Sequence, residues 1–138
     1  MGNDQPWEEI EHTADVALRV HGEDLRALFE NAARGMMHLI SGRPLPGEIT
    51  FHETISLQAP DWEILLVDWL TELLYLIEER ELFFSQIVVH RVSDLTLEAE
   101  ISGGPAAKAS KHVKAVTYHD LSIRHTDDGY ETTVVFDV

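Results

Sequence analysis

The chain has 138 residues, of which 44% are hydrophobic and 25% are charged. This length and composition predict a single folded domain, residues 1–138, with a core of its own. The chain contains 10 Lys and Arg residues and 25 Asp and Glu residues. The resulting formal net charge of −15 opposes direct binding to nucleic-acid phosphates. A basic protein partner or a metal ion suits this charge better, although acidity that only keeps the protein dissolved explains it equally well.

The absence of cysteine limits the chemistry that this chain offers. Disulfides, thiolate metal ligands and cysteine nucleophiles are excluded, so a metal ligand has to be an oxygen atom or an imidazole nitrogen. The longest apolar stretch, residues 64–77, is interrupted by Asp68, Thr71 and Glu72, and no basic segment precedes an apolar one at the start. The sequence therefore predicts no membrane span and no signal peptide, and we expect a cytoplasmic protein.

The first half of the chain alternates strand and helix patterns. Trp7 to Ile10 begin the fold, and Ala14 to Val20 alternate apolar and polar residues as a half-buried strand does. Apolar residues then recur at helical spacing from Leu25 to Ile40, and Gly42 ends this helix. Ile49 to Leu57 alternate again and predict a second strand.

A second helix follows Pro60. Asp61 has the right chemistry to cap the free amide groups of its first turn. The apolar residues between Trp62 and Ile77 cover most of the circumference of this helix, so other elements should pack on both of its flanks. We therefore expect it to lie at the centre of the fold.

The second half of the chain is rich in strand patterns. Phe83 to Val92 and Leu95 to Ile101 form a predicted hairpin, and Ser102 to Ser110 form a predicted loop. Three further strand-like runs are Val113 to Tyr118, Leu121 to Arg124 and Glu131 to Val138. The order is β-α-β-α and then a run of strands. It predicts an α+β fold, a two-layer sandwich of a mainly antiparallel sheet with two packed helices.

Candidate functional residues lie near both ends of the chain. His12 and Asp15 are three residues apart where the first strand begins, a spacing that fits a pair of ligands but more often reflects contacts with local backbone amides. Asp137 and Val138 end the last apolar strand, so a carboxylate side chain directly precedes the terminal carboxylate. If partly buried, these charges need a lysine or a metal ion nearby, whereas a solvated strand end needs neither.

A third candidate segment runs from Val113 to His119. Lys114 and His119 are five residues apart and face opposite sides of an unbroken strand, so they reach one site only if the chain bends or bulges between them. The simpler interpretation is that Lys114 pairs with one of the many acids. The remaining histidines lack a repeated ligand spacing, and we expect them at the surface: His21, His38, His52, His90, His112 and His125. No phosphate-binding glycine loop or nucleophile elbow is present.

Five segments of the chain together resemble the archease family, in the same order along the sequence. They are Glu11 to Asp15 (Glu-His-Thr-Ala-Asp), Leu28 to Gly35 (Leu-Phe-Glu-Asn-Ala-Ala-Arg-Gly), Leu66 to Tyr75 (Leu-Val-Asp-Trp-Leu-Thr-Glu-Leu-Leu-Tyr), Val113 to His119, and Val134 to Val138. The resemblance covers nearly the whole chain. Two departures concern Thr71, where asparagine is common, and the Gly103 to Ser110 loop, which looks unlike the usual charged approach to Lys114.

The resemblance implies a metal site made by Asp15, Asp137 and the main chain at Val138, with Lys114, His119 and His12 in support. It also implies a non-catalytic partner of an RtcB-type RNA ligase in tRNA splicing and RNA repair. Such a partner stimulates guanylylation of the ligase by GTP, which binds at the ligase, and supports repeated turnover. The carboxylate ligands suit Ca²⁺, Mg²⁺ or Mn²⁺.

Two other functions fit the same residues. One is a small metal-dependent hydrolase that uses His119 or His12 as a general base. The other is a chaperone-like module that binds exposed apolar segments of other proteins and makes no use of Asp15 or Asp137.

Overall fold

The computed structural model describes residues 5–11, 15–42, 48–106, 109 and 111–138. The predicted α+β class is confirmed. Along the chain, the elements in these residues are β1 (Trp7–Glu11), β2 (Asp15–Gly22), α1 (Leu25–Ser41), β3 (Phe51–Gln58), α2 (Trp62–Arg80), β4 (Leu82–Ser93), β5 (Thr96–Pro105), β6 (Ala115–Thr117), β7 (Arg124–Thr126) and β8 (Gly129–Asp137). Neither helix is long and apolar enough to cross a membrane.

Both helices begin where the sequence predicts, and α1 also ends where it predicts, whereas α2 continues to Arg80. The Asp24 carboxylate accepts a hydrogen bond from the Ala27 amide at 2.7 Å, and Asp61 accepts one from the Ile64 amide at 2.8 Å. Each acid thus satisfies an amide that has no partner within its own helix. Gly42 ends α1 in the left-handed conformation, with φ of 70°, which glycine adopts without steric strain.

The antiparallel strands form two sheets rather than one. In the first sheet the order is β1-β2-β8-β6, and β7 also pairs with β8; in the second sheet the order is β3-β5-β4. Helix α1 packs against β2 of the first sheet and β4 of the second. One helix therefore contacts both sheets, and the apolar side chains of both join a single core.

Trp69 ties the two helices together inside this core. It is fully buried on α2, and its indole Nε1 donates a hydrogen bond of 3.0 Å to the carbonyl oxygen of Phe29 on α1. The bond satisfies the polar atom of an otherwise apolar side chain. The predicted packing of α2 on both flanks is confirmed, since it buries Leu65, Leu66 and Leu73 and contacts α1, β3, β4 and β6. The more extensive contacts with both sheets are made by α1 rather than by α2.

The boundaries in the second half differ from the predicted ones. Ser102 to Pro105 continue β5 instead of opening a loop, because Gly103 and Gly104 allow close contact between backbones. A Cβ on Gly103 would lie 1.9 Å from the carbonyl oxygen of Phe83. The predicted strand at residues 113–118 is confined to β6, and the one at residues 121–124 is replaced by β7, which begins at Arg124.

Three strands of the second sheet are linked on its outer face by one carboxylate. Glu100 on β5 accepts a hydrogen bond of 2.8 Å from His52 on β3 and another from His90 on β4. The hydrogen bonds from His90 and then His52 lower the pKa of Glu100 below its usual value. The ionised carboxylate is therefore favoured in the folded protein.

This arrangement predicts a pH-dependent contribution to stability. Because the pKa of Glu100 is lower in the folded state, its contribution is complete above the unfolded value and is lost as the pH falls through the folded value. We expect Glu100→Gln to lower the free energy of unfolding at pH 7 and to change it little at pH 3. Urea unfolding at both pH values tests this. The exposed Glu79→Gln variant is the control, and an equal loss at pH 3 and pH 7 for Glu100→Gln would contradict the prediction.

Candidate functional site

The pairing of β2 with β8 places the two ends of the chain side by side. In this antiparallel pair Asp15 lies directly opposite Asp137. Opposed residues project from the same face of a sheet, with Cβ atoms about 4.5–5.5 Å apart. Two candidate ligands from opposite ends of the sequence therefore occupy adjacent positions.

The apolar side chains of the two strands determine this register. Val16 lies opposite Phe136 and Leu18 lies opposite Val134, and all four pack in or against the core. Since side chains alternate between the faces of a strand, Asp15 and Asp137 face outward. A slip of one residue would exchange the faces, so burial of the apolar residues fixes the position of the acids.

The local electrostatics of this pair favour a cation. Asp137 is exposed and Asp15 is half-buried. Like charges directly opposite one another in a sheet repel, and a bound cation or a basic side chain from a partner lowers that repulsion.

Strand β6 lies on the other side of Asp137. Ala115 is opposite Asp137, and the amide of Lys114 donates a hydrogen bond of 2.7 Å to the carbonyl oxygen of Asp137. Because Ala115 has a small side chain, it does not cover the outer face of the sheet beside the Asp137 carboxylate. The exposed Lys114 also lines a shallow cavity of about 260 Å³ between β6 and α2, with Thr71 and Tyr75 on its helical side.

The chain turns at His119 and Asp120, beyond the strand β6 that separates them from Lys114. The amide of Leu121 donates to the carbonyl oxygen of Tyr118 at 3.0 Å, and Asp120 adopts a positive φ of 51°. These features form a turn directly after β6. Within this turn His119 is exposed and its Nε2 lies 3.2 Å from the carboxylate of Asp120.

The other predicted site residues have different outcomes. Val138 follows β8 and is 36% exposed. His12 lies outside the described residues.

The six histidines expected at the surface are all exposed, which confirms that prediction. Sequence reasoning missed the contact of His52 and His90 with Glu100, because it depends on the register of three strands.

A metal ion at this edge would have few side-chain ligands. Within the described ranges, no group of three His, Asp or Glu side chains is arranged to hold a metal ion. The Asp15 and Asp137 pair offers hard oxygen donors, and main-chain oxygen and water complete many sites of this kind. The donor chemistry thus fits Ca²⁺, Mg²⁺ or Mn²⁺ better than a closed zinc site.

Known proteins resemble this chain over nearly its whole length. Residues 7–138 match the archease protein family (MTH1598/TM1083). The chain is 37% identical to protein archease of Methanosarcina acetivorans, with 96% of this chain and 95% of the relative covered. It is 38% identical to protein archease of Saccharolobus islandicus, with 96% and 98% covered.

Solved structures share the fold. Protein 1598 of Methanobacterium thermoautotrophicum superposes with a TM-score of 0.75 at 26% identity, covering 97% of this chain and 99% of that one. An archease of Thermotoga maritima, described as a possible chaperone, gives a TM-score of 0.63 at 25% identity, covering 95% and 96%. The family match, the sequence identities and the shared fold agree: this chain belongs to the archease family.

Proposed function

We propose that this protein binds a divalent cation through Asp15, Asp137 and the main chain at Val138, and that it activates an RtcB-type RNA ligase. The observation that carries the proposal is the register of β2 and β8, which places Asp15 opposite Asp137. Membership of the archease family supports it, because the family resemblance implies these residues as the metal site.

The two aspartates are the principal donors in this proposal. Both have only oxygen donors, which suit Ca²⁺, Mg²⁺ and Mn²⁺. A bound ion would supply the positive charge that balances the opposed carboxylates. Since Asp137 is exposed, the site is accessible to a partner protein.

Two further side chains, one basic and one an imidazole, lie just before and just after β6. Lys114 is exposed, and its amide fixes the carbonyl group of Asp137. His119 is also exposed and lies only two residues beyond β6. We assign Lys114, His119 and His12 a supporting role in contacts with the ligase.

The partner is a protein rather than a nucleic acid. The net charge of −15 repels RNA and attracts a basic protein surface. In this proposal the protein is not itself an enzyme: GTP binds at the ligase, and the acidic edge of the activator promotes guanylylation and repeated turnover there. A docked carboxylate edge acts by orienting groups of the ligase.

Metal binding provides the first test. We expect Asp15→Asn and Asp137→Asn each to weaken Mn²⁺ and Ca²⁺ binding by roughly tenfold or more, because each removes one anionic donor. Isothermal titration calorimetry measures the affinity. Asp94→Asn is a matched control on the turn between β4 and β5, where a positive φ of 51° also suits asparagine. Equal affinities for all three variants would refute the metal site.

The role of Val138 has a separate test. Extending the chain beyond Val138 by a few residues converts the terminal carboxylate into a neutral amide carbonyl. We expect the affinity for Mn²⁺ in calorimetry to fall, whereas the same extension placed before Met1 should leave it unchanged. An extended variant that binds Mn²⁺ as the parent protein does would show that the terminal carboxylate is not a ligand.

Activation is tested with the ligase itself. We expect the protein to increase multiple-turnover RNA ligation by an RtcB-type ligase with GTP and Mn²⁺, and Asp137→Asn to reduce that increase. The fraction of guanylylated ligase and the amount of sealed RNA are measured together. No stimulation by the parent protein would remove the proposed function. Phosphoester hydrolysis by the protein without the ligase would instead favour a hydrolase. Stimulation of the ligase that is unchanged in Asp137→Asn would favour a chaperone-like binder.

A further inference from the structure

A second recess lies between α1, Trp7 and the edge of β4. We call it the β4 groove. Its volume is about 600 Å³. Its lining residues are Trp7, Arg34, Met37, His38, Ser41, Phe84, Ser85, Gln86, Ile87 and Val88. None of them belongs to the Asp15 and Asp137 site, so the inference below does not rest on the proposed function.

One wall of the groove is an open strand edge. The Val89 amide donates to the Glu30 carboxylate at 2.8 Å, and the Val89 carbonyl accepts from Arg26 at 2.9 Å, so both groups point away from β5. Backbone groups alternate along an antiparallel strand, and the register is regular between Ile87 and Val89. The N–H and C=O of Ile87 therefore also point away from β5, into the groove.

The neighbouring residues add polar groups that lack strong partners. The register shift between Phe84 and Gln86 makes Ser85 the extra residue of a β-bulge. Its Oγ is buried and has no hydrogen-bond partner within the part of the chain that the structure describes. The amide of Phe84 donates to the sulfur of Met37 at 3.3 Å, and a thioether is a weak acceptor. This edge can thus form further hydrogen bonds, both as a donor and as an acceptor.

The groove is lined by a basic side chain although the whole protein is acidic. Its lining includes Arg34 and His38 and contains no Asp or Glu, although the chain carries a net charge of −15. The Arg34 side chain is 51% exposed and lies 3.4 Å from Glu30. The Glu30 side chain is 13% exposed and is also held by Arg26 and by the Val89 amide, so it keeps two partners when the half-exposed Arg34 turns to a new carboxylate. Trp7 stacks near His38, with ring centroids 5.9 Å apart, and supplies an apolar wall.

We propose that the β4 groove binds an extended acidic segment of a partner protein by strand addition to β4. Main-chain hydrogen bonds to Ile87 would provide affinity, as in other cases of β-augmentation. A carboxylate of the segment would pair with Arg34, and an apolar side chain would contact Trp7. The strand edge favours a peptide over a compact small molecule, and the basic lining selects an acidic one.

A synthetic peptide tests this directly. The probe is a capped hexapeptide of alternating valine and threonine with one central glutamate, titrated into the full-length ¹⁵N-labelled protein. We expect amide chemical-shift changes at residues 84–88 and at the Trp7 indole. Methylating the backbone nitrogens that face β4 should abolish them, because strand addition needs those N–H groups.

Charge variants test the role of Arg34. We expect Arg34→Gln to weaken peptide binding about tenfold, since it removes a charge-assisted hydrogen bond. The matched control is Arg19→Gln, whose side chain is 50% exposed and pairs with Glu8 at 3.5 Å; its affinity should stay within about twofold of the parent. Circular dichroism verifies that both variants are folded.

Several outcomes would overturn the proposal. These are the absence of shifts at millimolar peptide, equal binding of the methylated peptide, and equal weakening by Arg19→Gln and Arg34→Gln. A fourth is a concentration-dependent dimer in sedimentation that perturbs residues 84–88 without peptide, because the occupant would then be a second copy of this chain.

Discussion

The pairing of β2 with β8 is the interaction on which the candidate site depends. Burial of Leu18, Val134 and Phe136 contributes roughly 1.5–3 kcal/mol for each side chain. Repulsion between the two acids is weakened by solvent, because Asp137 is exposed. The apolar contribution is larger, so the strands hold the two acids together without a cation. In the proposed function, a bound cation would lower the remaining repulsion between them.

The sequence predicted the local structure well where local rules decide it. Gly42 ends a helix and Asp61 begins one, because each satisfies a backbone requirement within a few residues. The proximity of Asp15 to Asp137 is different in kind. Spacing alone favoured a solvated strand end, and the expectation of a shared site came from the family resemblance. Only the β2 and β8 register brings these residues together, and no local pattern encodes it.

Contacts between distant strands account for what the sequence did not predict. A glycine-rich run has the composition of a loop, yet Gly103 is needed because the backbone of Phe83 lies against it. The extra residues at Ser85 and His90 interrupt the alternation of β4 only by placing two polar residues side by side, Ser85-Gln86 and His90-Arg91, and this signal alone does not identify a bulge. Their consequences are nevertheless large, since one bulge places a serine beside the β4 groove and the other lies where His90 meets Glu100.

The two surfaces have complementary chemistry. The edge formed by Asp15 and Asp137 is anionic, whereas the β4 groove is lined by Arg34 and His38. Arg26 and Glu30 already occupy the β4 edge at Val89, so the open part is short. A short added strand forms few hydrogen bonds and binds weakly alone. A partner that engages both surfaces would bind the second one intramolecularly, at a high effective concentration, and two weak contacts would then give a specific complex.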